Sequence, residues 1–176
     1  MNEKFSHRLT RVFLSALLLL TASAGHVALA LAGQTAGKPQ DNVVKVVYHA
    51  DFSDPRRFSA MLTNIHNMVS TYQSELVDYD IRIVFVSWGI RFVTGDKLAG
   101  TPFIEDEALK QRRSDLQARL ATLRDLQGVK LEVCGITREQ IGLDEKKLMP
   151  GVTIVHSGVV QIVQLQRQGF AYLKVE

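Results

Sequence analysis

The spacing of apolar positions alternates along the chain between short β-branched runs and longer stretches of three-four periodicity, and the switches mark out its elements. Residues 43–48 are β-branched and aromatic and predict a buried strand that runs into His49-Ala-Asp-Phe-Ser-Asp-Pro55. Ser53 or Asp54 can cap a helix there, with Pro55 in the first turn, where its missing N–H costs nothing. Phe58, Met61, Leu62, Ile65, Val69, Tyr72 and Leu76 then form the stripe of a helix lying on a sheet, with Asn64, Asn67, Ser70 and Gln73 on the other side. Residues 80–86 predict a second strand ending at Ser87-Trp-Gly89. Over residues 90–107 the periodicity fails: a short apolar turn is followed by Gly95, Gly100 and Pro102, which mark a loop.

Leu109, Leu116, Leu120 and Leu123 stripe the next helix, and Gly128 suits the left-handed position that ends it. Its outer face carries Lys110, Arg112, Arg113, Asp115, Arg119, Arg124 and Asp125, a mixed run expected to be solvated. A third strand starts at Lys130 and ends at Cys134, before Gly135. Thr137 and Gln140 stand at capping-box spacing, so a short helix is expected over 137–143. Residues 151–156 predict a fourth strand and 157–168 a helix capped by Ser157, with Val159, Ile162, Val163 and Gln166 turned inward. Gly169 stops it, and residues 170–174 form a fifth strand.

Strands alternating with helices imply an α/β fold: a mainly parallel sheet of about five strands, with helices on both faces joined by right-handed crossovers. In such sheets ligands bind at the carboxyl edge of the strands. The residues arriving there are His49 and Asp51, then Trp88 and Gly89, then Cys134 and Gly135, then His156, Ser157 and Gly158.

The first 32 residues read as targeting rather than fold. Lys4, Arg8 and Arg11 precede an almost unbroken apolar run over 12–20, and small residues follow at signal-peptidase spacing, with cleavage expected after Ala32. An uncleaved anchor over 12–32 is the alternative. Residues 33–42 read as a linker and 43–176 as one domain, expected to be periplasmic or secreted with no membrane contact once the leader is removed. Removing the leader lowers the formal net charge from +3 to +1, so the basic character gives no reason to expect nucleic acid as a partner.

A chain with 1 cysteine forms no internal disulfide. The motifs of dinucleotide binding, phosphate loops, serine hydrolases, dithiol exchange and zinc proteolysis are absent, and no cofactor is expected. Cys134, between a strand's carboxyl end and a helix start, has two readings. Unpaired N–H groups there favour a reactive thiolate, or the residue is a small buried filler. A single thiolate suffices to carry sulfur as a persulfide. His49 and His156 could assist it or join it in a soft-metal site, while His66, in mid-helix, reads as structural. Ser157-Gly158 could cradle an anion, Trp88 reads as an anchor or a lid, and Asp51 as a turn or ligand-binding residue.

The first strand, Asn64-Ile-His-Asn-Met68, Val133-Cys-Gly-Ile-Thr137, His156-Ser-Gly-Val-Val160 and Leu165-Gln-Arg-Gln-Gly-Phe-Ala-Tyr172 together carry a likeness: over residues 43–174 the chain resembles the DsrE/DsrF-like family. Where a His-Gly is expected after the second strand, this chain has Trp88-Gly89. The resemblance implies a three-layer α/β/α fold, homo-oligomeric assembly and a cysteine that relays persulfide sulfur, which by position is Cys134. The expectation is an exported, homo-oligomeric carrier rather than a turnover enzyme, exchanging sulfur or a thiol ligand with a donor or acceptor protein. Cys134 would act with His49 and His156, and Asp51, Trp88, Gly135, Ser157 and Gly158 would line the site. The alternatives are a non-catalytic binding or assembly module with a buried structural cysteine, and a soft-metal-binding protein.

Overall fold

The computed structural model of the chain describes residues 43–176; the leader and linker expected over 1–42 lie outside the described residues. The first strand runs Val44–Ala50 (β1) and is followed by a helix, Pro55–Ser74 (α1). Asp54 caps that helix, its carboxylate accepting from the Arg56 N–H at 2.7 Å, and Pro55 opens it. Next come Tyr79–Phe85 (β2), a 3-10 segment at Ser87–Val93, and the helix Glu107–Gln127 (α2), which ends on left-handed Gly128. Lys130–Cys134 (β3), the short helix Gly135–Gln140 (α3), Val152–Val155 (β4), Gly158–Arg167 (α4) and Ala171–Leu173 (β5) complete the chain.

The five strands are parallel and ordered β4-β3-β2-β1-β5. Alternation along each strand sends side chains to two faces. On one face Val46, Tyr48, Ile81, Ile83, Phe85, Leu131 and Val133 meet the apolar stripes of α1 and α2, which pack against each other. On the other, Val47 and Val84 meet Ile162 and Leu165 of α4, together with Phe170. The result is the expected three-layer α/β/α fold, with two long helices covering one face and a ten-residue helix the other.

Several expectations are corrected. Leu76 is 92% exposed, because α1 ends at Ser74 and a left-handed backbone at φ 55° turns Leu76 outward. In α4, Val159, Val163 and Gln166 face solvent, while Gly158, Ile162 and Leu165 face the sheet. The helix after β3 starts at Gly135 with Cys134 as its cap and ends at Gln140, so it stops short of 143 and Thr137 is not a cap. Thr137 is buried, and its hydroxyl accepts from the Ser87 N–H at 3.2 Å, a tertiary partner that replaces the local one.

The short apolar turn expected after β2 is part of the 3-10 segment, and it packs into the core. Ile90, Phe92 and Val93 are buried, and Arg91, at 1% exposure, donates to Asp106 at 2.6 Å and to the Ser53 carbonyl at 3.4 Å. The α2 face expected to be solvated takes part as well. Arg113 donates to Glu105 at 2.7 Å and to the carbonyls of Arg91 and Thr94, and Arg119 donates to Ser59 on α1.

Candidate functional site

Cys134 is the last residue of β3, two positions after Glu132, so both side chains lie on the α4 face of the sheet. Its exposure is 4%, yet the sulfur does not sit in hydrocarbon alone. Burial is the largest influence on the thiol and pushes its pKa up; hydrogen bonds from the Gly158 N–H, the Thr137 hydroxyl and N–H, and the Ile136 N–H push it down and prevail. The net effect favours the thiolate, since each donor stabilises charge on sulfur.

Two glycines allow this approach. A Cβ at Gly158 would lie 2.5 Å from Val86 Cγ2 and 3.1 Å from Cys134 Cβ, so only glycine lets the first turn of α4 settle onto the sulfur. A Cβ at Gly135 would lie 3.0 Å from the Val155 carbonyl oxygen and 3.3 Å from that of His156. The Ile136 N–H also donates to the His156 carbonyl at 3.2 Å, tying the end of β4 to the start of α3. Ser157 caps α4, its hydroxyl accepting from the Val160 N–H at 3.4 Å. That hydroxyl is engaged with its own helix.

The remaining candidates are distributed around this centre. Trp88 is 37% exposed and stands edge-on to Phe103 at 5.2 Å, with the Arg91 guanidinium 5.5 Å from its ring. Gly89 is buried directly against the Ala50 carbonyl oxygen at the end of β1. His156 is exposed at the end of β4 and contributes its backbone carbonyl. His49 shares the α4 face with Cys134 but is turned toward the β5 edge: its Nδ1 is 3.0 Å from the Tyr172 hydroxyl on β5, and its Nε2 is 3.9 Å from Asp51, which pairs with Lys174 at 3.1 Å. His49 stands beside Val84 of β2, which stands beside Glu132 of β3. One whole strand therefore separates His49 from the cysteine's strand, a backbone distance of about 10 Å. No histidine is among the groups acting on the thiol.

Burial, the largest influence on His49, lowers its pKa; Asp51 raises it in part and Lys174 lowers it further. Its Nε2 is buried without a hydrogen-bond partner, consistent with a neutral ring. Among the described residues no three His, Cys, Asp or Glu side chains gather as a metal site would require, which leaves the soft-metal alternative without a ligand set. A groove of about 680 Å³ lies at the opposite edge of the sheet, between the ends of α1 and α2, where Leu76, Asp78, Tyr79 and Leu126 line it. It holds none of this chemistry.

Sequence reasoning missed Thr137 as a sulfur ligand and a polar ladder below the cysteine. Arg82 bridges Asp80 and Glu132, each at 2.9 Å, and Gln161 of α4 donates to Glu132 at 2.8 Å. The available signal was charge inside the strands, at Asp80-Ile-Arg82 and Lys130-Leu-Glu132, which a sheet face wholly covered by apolar helix would not tolerate.

The profile of the DsrE/DsrF-like family matches residues 41–175. The chain belongs to the DsrE/DsrF-like family. Among solved structures, this DsrE-like chain is similar to MTH1491, a protein of unknown function from Methanobacterium thermoautotrophicum. The two share 27% identity with a TM-score of 0.52, covering 74% of this chain and 98% of that one. It is also similar to the ychN protein from E. coli, at 17% identity and a TM-score of 0.47, covering 75% of this chain and 99% of the other. No curated protein matches the sequence. Among the described residues no helix is long and apolar enough to cross a membrane.

Proposed function

We propose that this DsrE-like protein carries sulfane sulfur on Cys134. The Cys134 thiolate attacks the outer sulfur of a donor persulfide, R–S–SH; the S–S bond of the donor breaks, R–S⁻ leaves, and Cys134 holds the new S–S bond as Cys–S–SH. Transfer to an acceptor thiolate runs the same exchange in reverse, so the protein ends each cycle unchanged, as a carrier does. Family membership is compatible with this role. The observation that carries the reading is the close seating of the first turn of α4 on Cys134, where Gly158 and Thr137 hold the thiol pKa below its ordinary value at the carboxyl edge of the sheet. Thr137 rather than a histidine is the side chain that stabilises the sulfur's charge, and no step is assigned to His49.

The proposal extends to setting. The basic head and apolar run of residues 1–32 support export, where the donor and acceptor would be extracytoplasmic proteins. Exposed Val159, Val160 and Val163 on α4 support assembly into a homo-oligomer.

A second reading, a structural cysteine in a binding or assembly module, is favoured by the 4% exposure of Cys134. Treating folded, reduced protein with a low-molecular-weight persulfide and measuring intact mass separates the two. The carrier gains one sulfur atom, Cys134→Ser gains none, and Thr137→Val gains it more slowly at neutral pH because a charge-stabilising donor is gone. Wild-type protein that gains no sulfur while native, and whose thiol is alkylated only after denaturation, overturns the carrier in favour of the structural reading.

A further inference from the structure

Glu132 is a carboxylate at 5% exposure in the interior of a parallel sheet, a placement that costs free energy unless its charge is matched and its oxygens are occupied. Both conditions are met. One oxygen accepts from Arg82 Nη1 at 2.9 Å and the other from Gln161 Nε2 at 2.8 Å. Around it, Asp80 and Arg82 project from β2 and Lys130 from β3, with Lys130 pairing with Asp80 at 2.9 Å; the Arg82 guanidinium lies 5.1 Å from the Phe170 ring. Two carboxylates and two cations make the ladder neutral, so it imposes no net charge on the sulfur two residues further along β3.

Its link to the site is α4. Gly158 and Gln161 are three residues apart in the first turn of that helix and so share one side of it. Cys134 and Glu132 are two residues apart on one face of β3. The same turn of helix thus touches the same strand at two rungs, Gly158 on Cys134 and Gln161 on Glu132. The upper rung is a close contact that needs the absence of a side chain; the lower is a hydrogen bond in a half-buried place, where such bonds hold geometry firmly.

We infer that Glu132 and Gln161 are positioning residues for the Cys134 site: their hydrogen bond holds the first turn of α4 at the height from which the Gly158 N–H reaches the sulfur. The inference builds on the reading of Cys134 as the working group. It assigns the buried ladder to that site rather than to general stability of the sheet.

The single cysteine gives a direct test, because cysteine labelled with ¹³C at Cβ yields one resonance whose shift follows thiol ionisation whether or not the sulfur is open to reagents. In Gln161→Ala the midpoint moves to higher pH, and the thiolate present at neutral pH falls roughly tenfold, as loss of a charge-assisted donor predicts. Glu132→Gln keeps an oxygen that accepts from Gln161 and removes a negative charge, so its midpoint stays at or below that of wild type. Gln161→Met, which keeps the chain length and lacks the donor, replaces the alanine variant if that one does not fold. A folded Gln161 variant whose titration superimposes on wild type overturns the inference. Sulfur loading of wild-type protein is read separately. No loading with a shifted Gln161 midpoint removes the carrier reading alone, whereas loading with an unshifted midpoint removes the positioning role alone.

Discussion

His49 illustrates how a single side chain can look catalytic in sequence and take another role in the fold. Its ring is turned toward β5 by the Tyr172 hydroxyl, and burial holds it neutral more strongly than Asp51 favours its charge. The pH consequence follows from the sign of that shift. The folded state binds the His49 proton less readily than the unfolded chain, so the stability this group contributes is complete above the ordinary imidazole range and is lost as pH falls through the lower, folded-state pKa. Urea midpoints compared between about pH 7.5 and about pH 5.5 should fall for wild type and fall less for His49→Gln. The lowered carboxylates, Asp80 and Asp106 among them, act at more acid pH, where stability is lost as they protonate. Equal falls in the two proteins would show that His49 is free to protonate in the fold. Cys134 was recognisable in the sequence because a β-branched run ending in Cys-Gly is a local pattern. Strand order also brings Gly158 to the same rim, but its close contact with Cys134 is not legible there, and Thr137 has cap spacing although its hydroxyl accepts from the Ser87 N–H.

At the scale of elements, the seating of the 3-10 segment on the end of β1 controls how the rim is assembled. The Val86 N–H donates to the Ala50 carbonyl at 2.9 Å, and the Gly89 N–H closes back on the Val86 carbonyl at 3.0 Å. A methyl at Gly89 would overlap the Ala50 carbonyl oxygen, which is backbone and cannot rotate away. Gly89→Ala should therefore cost about 3 kcal/mol or more in a urea melt. A loss near zero would mean that the segment can lift from the strand freely. The strands and long helices were readable within a few residues because period and capping are properties of neighbouring positions: Asp54, Asp106 and Gly128 all act where the pattern changes. The rotation of α4 was not. Valines at 159 and 163 have helical spacing, but the close approach at Gly158 turns Ile162 and Leu165 to the sheet and leaves those valines outside.

For the whole molecule, the two faces of the sheet are unequally covered. The α4 side leaves Val159 58%, Val160 52% and Val163 52% exposed, and the edge strand β5 leaves Tyr172 38% and Leu173 36% exposed. Exposed apolar groups on a helix and an open strand edge each favour contact with another chain. Light scattering on the eluting protein should give a multiple of the chain mass for wild type, and Val163→Lys should lower it without lowering the melting temperature of the monomer. A wild-type protein eluting at the mass of one chain contradicts this assembly.

Sequence alone determined the alternation of strands and helices, the parallel sheet it implies, and the arrival of Cys134 at the end of a strand. Each follows from side-chain periodicity, turn chemistry and the handedness of crossovers, which act over short stretches of chain. Only the tertiary structure decided that the sulfur is buried against the first turn of α4, that His49 is turned toward β5, and that Glu132 and Gln161 stand beneath it. Those outcomes depend on how closely α4 and β2 approach β3, and that distance is set by packing between segments far apart in the chain.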